Sequence, residues 1–379
     1  MRRRWRLRPA PVLPVALLLT LACSHSEPFS PQDHSSSDPF ASGTPLRLTY
    51  GGGIRPAWLD DDRIIYSFRS AEHSNGRSST PDQCLGILPA TGGHRLRSIC
   101  NTSAFEGDTL DVQTEPAPEP GTDRLAFLRG RLSVSVGAGL TNIVVGPMDA
   151  APEGTVLQSA VFNSSDGFIM ESGMFRWLSP DTLIFLGADD GTLTPCDTCD
   201  PVVIRRWKDA FRLPASGGAT ATLMPGTRFA TSMTAGLSPG QAYVTYANDT
   251  RLQLLDVTSG AASTLVDFGA ALPPRDADYA AGRIVLVAGG KLSRLVDDDG
   301  APLQGRDEGG ELQLVDPATG TITPLHSSTL LFRRPRLSPD ARAIIAEGYQ
   351  FHEVTSGTMN VIVDTVVSPT ADIYRIDVP

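Results

Sequence analysis

Lysine is almost absent from this sequence, since Lys208 and Lys291 are the only two among 379 residues and arginine carries the remaining basic charge. Acidic residues outnumber basic ones, and the formal net charge of −10 offers no overall basic surface for a nucleic acid. No uncharged apolar run reaches the ~20 residues that a membrane-spanning helix needs. We therefore expect no nucleic-acid partner and no spanning helix.

Linear catalytic motifs are also missing. The sequence contains no Gly-x-Ser-x-Gly elbow and no His-Glu-x-x-His motif, and none of its six histidines are spaced four apart. The acidic clusters Asp60–Asp62, Asp189–Asp190 and Asp297–Asp299 lack the alternating ligands of a calcium loop, which favours solvated turns. We expect no catalytic residue, metal ligand or cofactor, although a site built from scattered residues has no linear motif.

The N-terminus has the pattern of an export signal. Met1–Arg8 is strongly cationic and Pro9–Ala22 is uncharged and mostly apolar, which is typical of a signal peptide. The following Leu19–Cys23 segment resembles the lipobox of bacterial lipoproteins, although Thr20 stands where leucine is usual. That resemblance implies cleavage after residue 22 and lipidation of Cys23. The alternative is an ordinary secretory signal followed by an incidental cysteine.

A polar stretch separates this signal from the rest of the chain. Ser24–Pro45 holds seven serines and four prolines, and such a composition cannot bury enough apolar surface to fold. We predict a signal peptide at 1–22, a disordered tether at 23–45 and a folded body at 46–379. Ser24 resembles the sorting pattern for the outer membrane, so we expect an envelope protein that meets the membrane only through its lipid anchor.

Glycine and proline, 36 and 30 residues respectively, recur at two kinds of turn. The first kind precedes a short apolar strand. Its clearest copies are Leu178–Asp181, Leu237–Gly240 and Leu337–Asp340. The second kind joins two later strands into a hairpin. Its clearest copies are Pro89–Gly92, Pro214–Gly217 and Pro317–Gly320. Four strands per repeat predict the blade of a β-propeller.

Counting repeats predicts an all-β, six-bladed propeller of four-stranded antiparallel blades. The last repeat ends with its third strand, Asp372–Asp377, and Pro45–Thr49 precedes the first repeat as an extra strand. We therefore expect the N-terminal strand to complete the last blade and close the ring. The competing fold, two β-sandwiches, gives no reason for the repeated turns.

The Ser-Pro-Asp turn before an apolar triplet, together with the Asp372–Asp377 segment, resembles the WD40-like repeat of the TolB-like six-bladed propellers. The resemblance covers Leu46–Pro379 and implies a fold more than a function. The chain departs from the family because it lacks the α/β domain that precedes the propeller and carries a lipobox. By resemblance, we expect a cell-envelope binding or scaffold role in a Gram-negative-type bacterium.

Four cysteines besides Cys23 suit an oxidising compartment. In a simple antiparallel hairpin that pairs Leu88 with Leu96, Cys84 faces Cys100, which predicts a disulfide. For Cys196 and Cys199, we favour a local disulfide over a redox pair or a zinc site, because neither a thioredoxin-like context nor nearby histidines are present.

Five insertions lie between the second and third strands of their repeats. They are 69–83, 129–139, 187–209, 288–310 and 347–371. Such connections emerge on one face of a propeller, where binding loops usually lie. We expect a monomer that binds an envelope protein through this face. The alternatives are a propeller enzyme or binding protein for a small molecule or glycan at the channel mouth, and neutral loop growth.

Overall fold

The computed structural model describes seventeen segments of the chain. They are residues 45–50, 52–70, 82–100, 109–133, 138–150, 155–163, 175–187, 209–217, 221–246, 249–269, 273–289, 292–296, 302–307, 309–327, 329–355, 362–367 and 371–379. Within them, every long element is a β-strand. None of the described segments forms a helix with the length and apolarity to cross a membrane.

The first half of the chain contains thirteen described strands of two to ten residues. They are β1 Leu46–Arg47, β2 Ile54–Trp58, β3 Arg63–Ser70, β4 Asp82–Pro89, β5 Arg97–Ile99, β6 Thr109–Pro118, β7 Arg124–Ser133, β8 Ala138–Pro147, β9 Thr155–Asn163, β10 Phe175–Ser179, β11 Thr182–Gly187, β12 Asp209–Pro214 and β13 Thr222–Leu223.

The second half continues in the same way. Its strands are β14 Ala230–Ala235, β15 Gln241–Tyr246, β16 Arg251–Asp256, β17 Ala262–Asp267, β18 Pro274–Ala280, β19 Arg283–Ala288, β20 Leu292–Val296, β21 Pro302–Asp307, β22 Glu311–Val315, β23 Ile322–Leu325, β24 Leu330–Leu337, β25 Ala343–Thr355, β26 Ile362–Val367 and β27 Asp372–Asp377.

Antiparallel sheets with a path of four strands repeat along the chain. The strand orders are β10-β11-β12-β13, β14-β15-β16-β17, β18-β19-β22-β23 and β24-β25-β27-β1. In the last of these sheets β1 pairs with β27, so that Leu46 lies opposite Arg375 and Arg47 opposite Tyr374. The fold is an all-β propeller of four-stranded antiparallel blades, as the repeated turns predicted.

One larger sheet of eight strands contains the strands that follow β1 along the chain. It consists of an antiparallel β2–β5 part and an antiparallel β6–β9 part. A single parallel pairing, between Gln83 on β4 and Val112 on β6, joins them. The first strands of successive units, β2, β6, β10, β14, β18 and β24, each contact the next, and β24 contacts β2. We call these six strands the inner strands.

The hairpin turns carry the residues that their geometry requires. Gly92, Gly217 and Gly320 follow Pro-Ala-Thr or Pro-Ala-Ser and have φ values of 83°, 79° and 70°. Left-handed backbone of this kind favours glycine, which has no Cβ to clash. The second kind of turn predicted from the sequence is therefore confirmed at all three places.

The hydrophobic core is divided among the spaces between neighbouring sheets. Trp177 and Phe185, on β10 and β11, pack in one cluster with Ala126 and Val145 of the preceding unit. Tyr243 and Ile284 belong to a cluster between two later sheets. Because second strands such as β11 and β19 are buried on both faces, their apolar residues run almost continuously rather than alternating.

Three of the expected insertion loops contain strands. β20 and β21 form a hairpin of their own between β19 and β22. β25 extends to Thr355 and pairs there with β26, and β7 and β8 pair along ten residues each. The sequence interpretation had treated these stretches only as insertions between the second and third strands.

Candidate functional site

Charged residues occupy unusual backbone positions on the inner strands. Arg55, Glu115, Asp276 and Arg334 have φ values of 55°, 53°, 55° and 48°. At each of them the pairing register with the second strand shifts by a β-bulge. Bulges re-aim side chains and leave a backbone group without its ladder partner. Non-glycine residues rarely adopt this conformation. Its repetition at four bulges indicates that it belongs to the architecture of the inner strands.

Carboxylates on neighbouring sheets satisfy these freed backbone groups. The N–H of Arg55 donates to Glu347 Oε1 at 2.6 Å, and the N–H of Arg334 donates to Asp276 Oδ2 at 3.1 Å. The N–H of Leu337 donates to Asp278 Oδ2 at 2.9 Å. Each bond crosses from one sheet to the next, so the carboxylates hold the inner strands together.

Arginine side chains pair with the same carboxylates and with Glu115. Arg334 Nη1 lies 2.8 Å from Glu347 Oε1 and 3.1 Å from Oε2, and the Glu347 side chain is fully buried. Arg55 Nε lies 2.8 Å from Glu115 Oε1.

A third ion pair joins sheets that are not neighbours in sequence. Arg176 Nε on β10 lies 3.3 Å from Asp278 Oδ1 on β18. We call the residues Arg55, Glu115, Arg176, Asp276, Asp278, Arg333, Arg334, Arg336 and Glu347 the central charge cluster.

Burial and pairing act on the acid–base properties of this cluster in opposite directions. Burial alone would raise the pKa of Glu347, but the charges of Arg334 and Arg333 and hydrogen bonds lower it. Burial would likewise lower the pKa of Arg334, but the charges of Glu347, Glu115 and Asp276 raise it. For Arg55 and Arg176 burial dominates and lowers the pKa. The Arg334–Glu347 pair is thus the best compensated part of the cluster.

Arg336 differs from the other buried arginines. It is 7% exposed, and its guanidinium donates from Nη1 to the carbonyl of Pro335 at 2.7 Å. It forms no ion pair with any residue in the part of the chain that the structure describes. Burial, together with the charge of Arg176, lowers the pKa of Arg336 to about 9. At neutral pH the cluster therefore contains a buried positive charge without an acidic partner.

The sequence-predicted disulfide is present in the outer hairpin of the first unit. Leu85 pairs with Ile99 and Ile87 with Arg97, which is the predicted register. Cys84 and Cys100 form a disulfide with their Cα atoms 4.7 Å apart.

The remaining predicted site residues cannot be placed. Cys23, Cys196 and Cys199 lie outside the described residues, as do the signal, nearly all of the tether and the acidic clusters at 189–190 and 297–299. In the acidic cluster Asp60–Asp62, which the structure describes, Asp60 pairs with Arg63 at 2.6 Å. Across the described segments no group of three metal-ligating side chains converges.

Sequence reasoning did not identify the central charge cluster. The sequence does contain one signal. A proline directly follows Arg55, Glu115 and Arg334, and each of these residues stands five positions before the middle of a turn of the first kind. Proline has no N–H to give to a ladder, so within sheets it is confined to edge strands, strand starts and bulges. A charged residue before proline at a fixed repeat position therefore indicates a bulge on the inner strand.

No family model and no curated protein sequence matches the chain. Solved structures similar to it include TolB from Acinetobacter baumannii, with 13% identity, a TM-score of 0.48, and coverage of 85% of this chain and 65% of that one. A nidogen/laminin complex matches with 12% identity, a TM-score of 0.42, and coverage of 72% and 80%. A PQQ-bound aldose sugar dehydrogenase from Streptomyces coelicolor matches with 11% identity, a TM-score of 0.48, and coverage of 90% and 98%. The chain thus spans less than two thirds of the TolB chain that it matches, and at these identities the likeness concerns the fold alone.

Proposed function

We propose that this protein is a lipid-anchored β-propeller of the bacterial cell envelope that binds a partner protein through the face carrying its insertions. The observation that carries this proposal is topological. All five insertions connect the second strand of a unit to its third, as in β3 to β4 and β19 to β22. In antiparallel blades successive connections alternate between the two faces, so these five share one face. Five enlarged connections there provide a surface for recognition on a rigid scaffold.

The proposed ring has six blades and is closed by the first strand. The eight-stranded sheet supports this count, because only the pairing of Gln83 with Val112 links its β2–β5 and β6–β9 parts. The pairing of β1 with β27 supports the closure, as do the contacts of β24 with both β18 and β2. Each inner strand then has two inner-strand neighbours around the ring.

The partner face is tested by comparing two variants in intact cells. In the first variant a short Gly-Ser linker replaces residues 290–308 between β19 and β22, and in the control Asn-Gly replaces the Pro317–Gly320 turn on the opposite face. After chemical cross-linking and purification of the full-length protein, we expect one cross-linked partner to be recovered about tenfold less with the first variant than with the wild type. Such a loss is typical when central interface contacts are removed. The control should retain it. Equal recovery from both variants, at equal Tm, would contradict the proposed face.

The lipid anchor is tested separately at Cys23. We expect wild-type protein to incorporate an alkyne-labelled fatty acid and to fractionate with membranes, because a diacylated cysteine adds many buried CH₂ groups. The Cys23→Ala variant should lose the label. Absence of the label from the wild-type protein, or equal labelling of the variant, would overturn the anchor and leave the propeller face untouched.

A second candidate function is favoured by the central charge cluster. Buried charges that converge from several inner strands are a common feature of ligand sites. The protein would then be an enzyme or binding protein for a small molecule or glycan, with its site where the inner strands meet.

A further inference from the structure

We propose that Arg336 and Arg176 hold the carboxylate group of a small ligand where the inner strands β10, β18 and β24 meet. This inference does not depend on a protein partner. It rests on the second candidate function and specifies a carboxylate as the chemical class of the ligand. Arg336 is a buried guanidinium of the cluster that has no ion pair within the described segments.

The surroundings of Arg336 locate its guanidinium inside the cluster. The charges that act on it belong to Arg176 on β10, Asp276 and Asp278 on β18, and Glu115 on β6. Each of these strands is the inner strand of a different unit. Asp278 accepts from the N–H of Leu337, the residue after Arg336, at 2.9 Å and lies 3.3 Å from Arg176 Nε, so β10, β18 and β24 meet beside Arg336.

The hydrogen-bonding capacity of Arg336 is largely unused. A guanidinium has five N–H donors, and its only hydrogen bond within the described segments runs to the adjacent Pro335 carbonyl. Arginine stays protonated in proteins, so its charge cannot be removed by losing a proton at neutral pH. A buried charge without a partner is costly, which favours an anion in contact with it.

Charge balance indicates what kind of anion fits. Arg336 carries one positive charge and has no ion pair within the described segments, so a single carboxylate neutralises it. Arginine binds a carboxylate through two parallel N–H···O bonds, and a second arginine beside it adds further donors.

Arg176 is placed to share such a ligand. Its Nε lies 3.3 Å from Asp278 and its Nη1 donates to the carbonyl of Phe175 at 3.0 Å. Its side chain keeps 13% exposure, so solvent reaches this part of the cluster.

The test uses the full-length protein in detergent, with acetate as the probe and chloride keeping the ionic strength constant. We expect acetate to raise Tm saturably, by about 3–5 °C at a hundredfold excess over its dissociation constant, because a ligand that binds only the folded state stabilises it. Arg336→Met should fold with a Tm close to that of the wild type and show at least a tenfold weaker response to acetate. Isothermal titration calorimetry with acetate provides an independent readout.

Two further arms make the outcome decisive. Arg212 is exposed on β12, and Arg212→Met should respond to acetate like the wild type. Inorganic phosphate should bind more weakly than acetate. The proposal is overturned if acetate has no effect beyond chloride, if Arg336→Met responds like the wild type, or if phosphate binds at least tenfold more tightly than acetate. None of these results bears on the cross-linking test of the partner face.

Discussion

Arg334 and Arg336 stand two residues apart on β24 and are each 7% exposed, yet their surroundings assign them different tasks. Arg334 makes two bonds to Glu347 and compensates a fully buried carboxylate. Arg336 forms no ion pair with a carboxylate within the described segments. A buried ion pair stabilises a fold only when both partners are satisfied, so the first arginine supports the structure and the second is available for a ligand.

Replacing Arg334 should therefore be much more damaging than replacing its neighbour. We expect Arg334→Met to lower the free energy of unfolding by about 3–5 kcal/mol, because Glu347 is left charged and buried. Urea denaturation of the purified protein measures this loss. The Arg334→Met/Glu347→Gln double variant should recover most of it, since the amide keeps an acceptor for the N–H of Arg55 and carries no charge. A double variant as unstable as the single one would contradict the ion-pair account.

Glu347 should also make stability depend on pH in the acidic range. Its pKa is lower in the folded state than in the unfolded chain, so its contribution is complete above the unfolded pKa of about 4.3. That contribution is lost as the pH falls through the folded value, with a slope of at most about 1.4 kcal/mol per pH unit for one proton. Urea titrations between pH 7 and pH 3 should show a shallower fall for the Glu347→Gln variant. Parallel curves would show that the proton is taken up elsewhere.

At the scale of elements, the disulfide and the bulges act at opposite ends of a unit. Cys84 and Cys100 tie the outer hairpin of β4 and β5, whereas the bulge at Arg55 lies on the inner strand β2. Outer strands are short here, and β5 covers only three residues, so a covalent link compensates for few ladder bonds. Inner strands are instead joined by side-chain bonds to the neighbouring sheet.

Removing the link between Cys84 and Cys100 should cost about 3 kcal/mol, because it closes a loop of 16 residues in the unfolded chain. The measurement is urea denaturation of a Cys84→Ser/Cys100→Ser variant under oxidising conditions. The matched control is Cys196→Ser/Cys199→Ser, because the loop predicted there from the sequence is shorter and should contribute less. Free thiols at 84 and 100 in the oxidised wild-type protein, found by peptide mapping, would refute the link.

Local signals explain which elements the sequence made predictable. The turns at Pro89–Gly92 and Pro317–Gly320 combine proline, a small polar residue and glycine, and these determine a hairpin without help from distant residues. The register of Cys84 and Cys100 follows from the hairpin alone. The central charge cluster did not follow, because Arg176 and Asp278 meet through contacts between remote parts of the chain. A single sequence carries no record of such pairing.

At the scale of the whole molecule, the first and last strands depend on each other. Arg47 lies 2.5 Å from Asp372, and the N–H of Leu48 donates to the carbonyl of Ile373 at 2.7 Å. Leu48 is 1% exposed and packs in a cluster with Ile345 and Ile373. The proposed closure thus rests on apolar packing as well as on ladder bonds.

Leu48→Ala should lower the free energy of unfolding by about 2–5 kcal/mol, as expected for a fully buried leucine. Leu223→Ala provides the control, because Leu223 is 46% exposed on β13 and should change stability by less than about 0.5 kcal/mol. If the ring is one cooperative unit, Leu48→Ala shifts the whole urea transition with an unchanged m value. A separate early transition confined to the terminal strands would argue against closure.

The pairing of β1 with β27 also has a consequence for biosynthesis. Thr49 and its hydrogen-bond partner Asp372 are 323 residues apart in the chain, so almost the entire polypeptide must be synthesised before β1 finds its place. If export precedes folding, the first strand leaves the membrane long before its partner does and waits with an unpaired edge. Contacts of such long range fold slowly, and an unpaired strand is prone to aggregate. A nascent chain that stalls before Asp372 would therefore leave β1 without its partner strand. We expect quality-control proteases to degrade such an incomplete product.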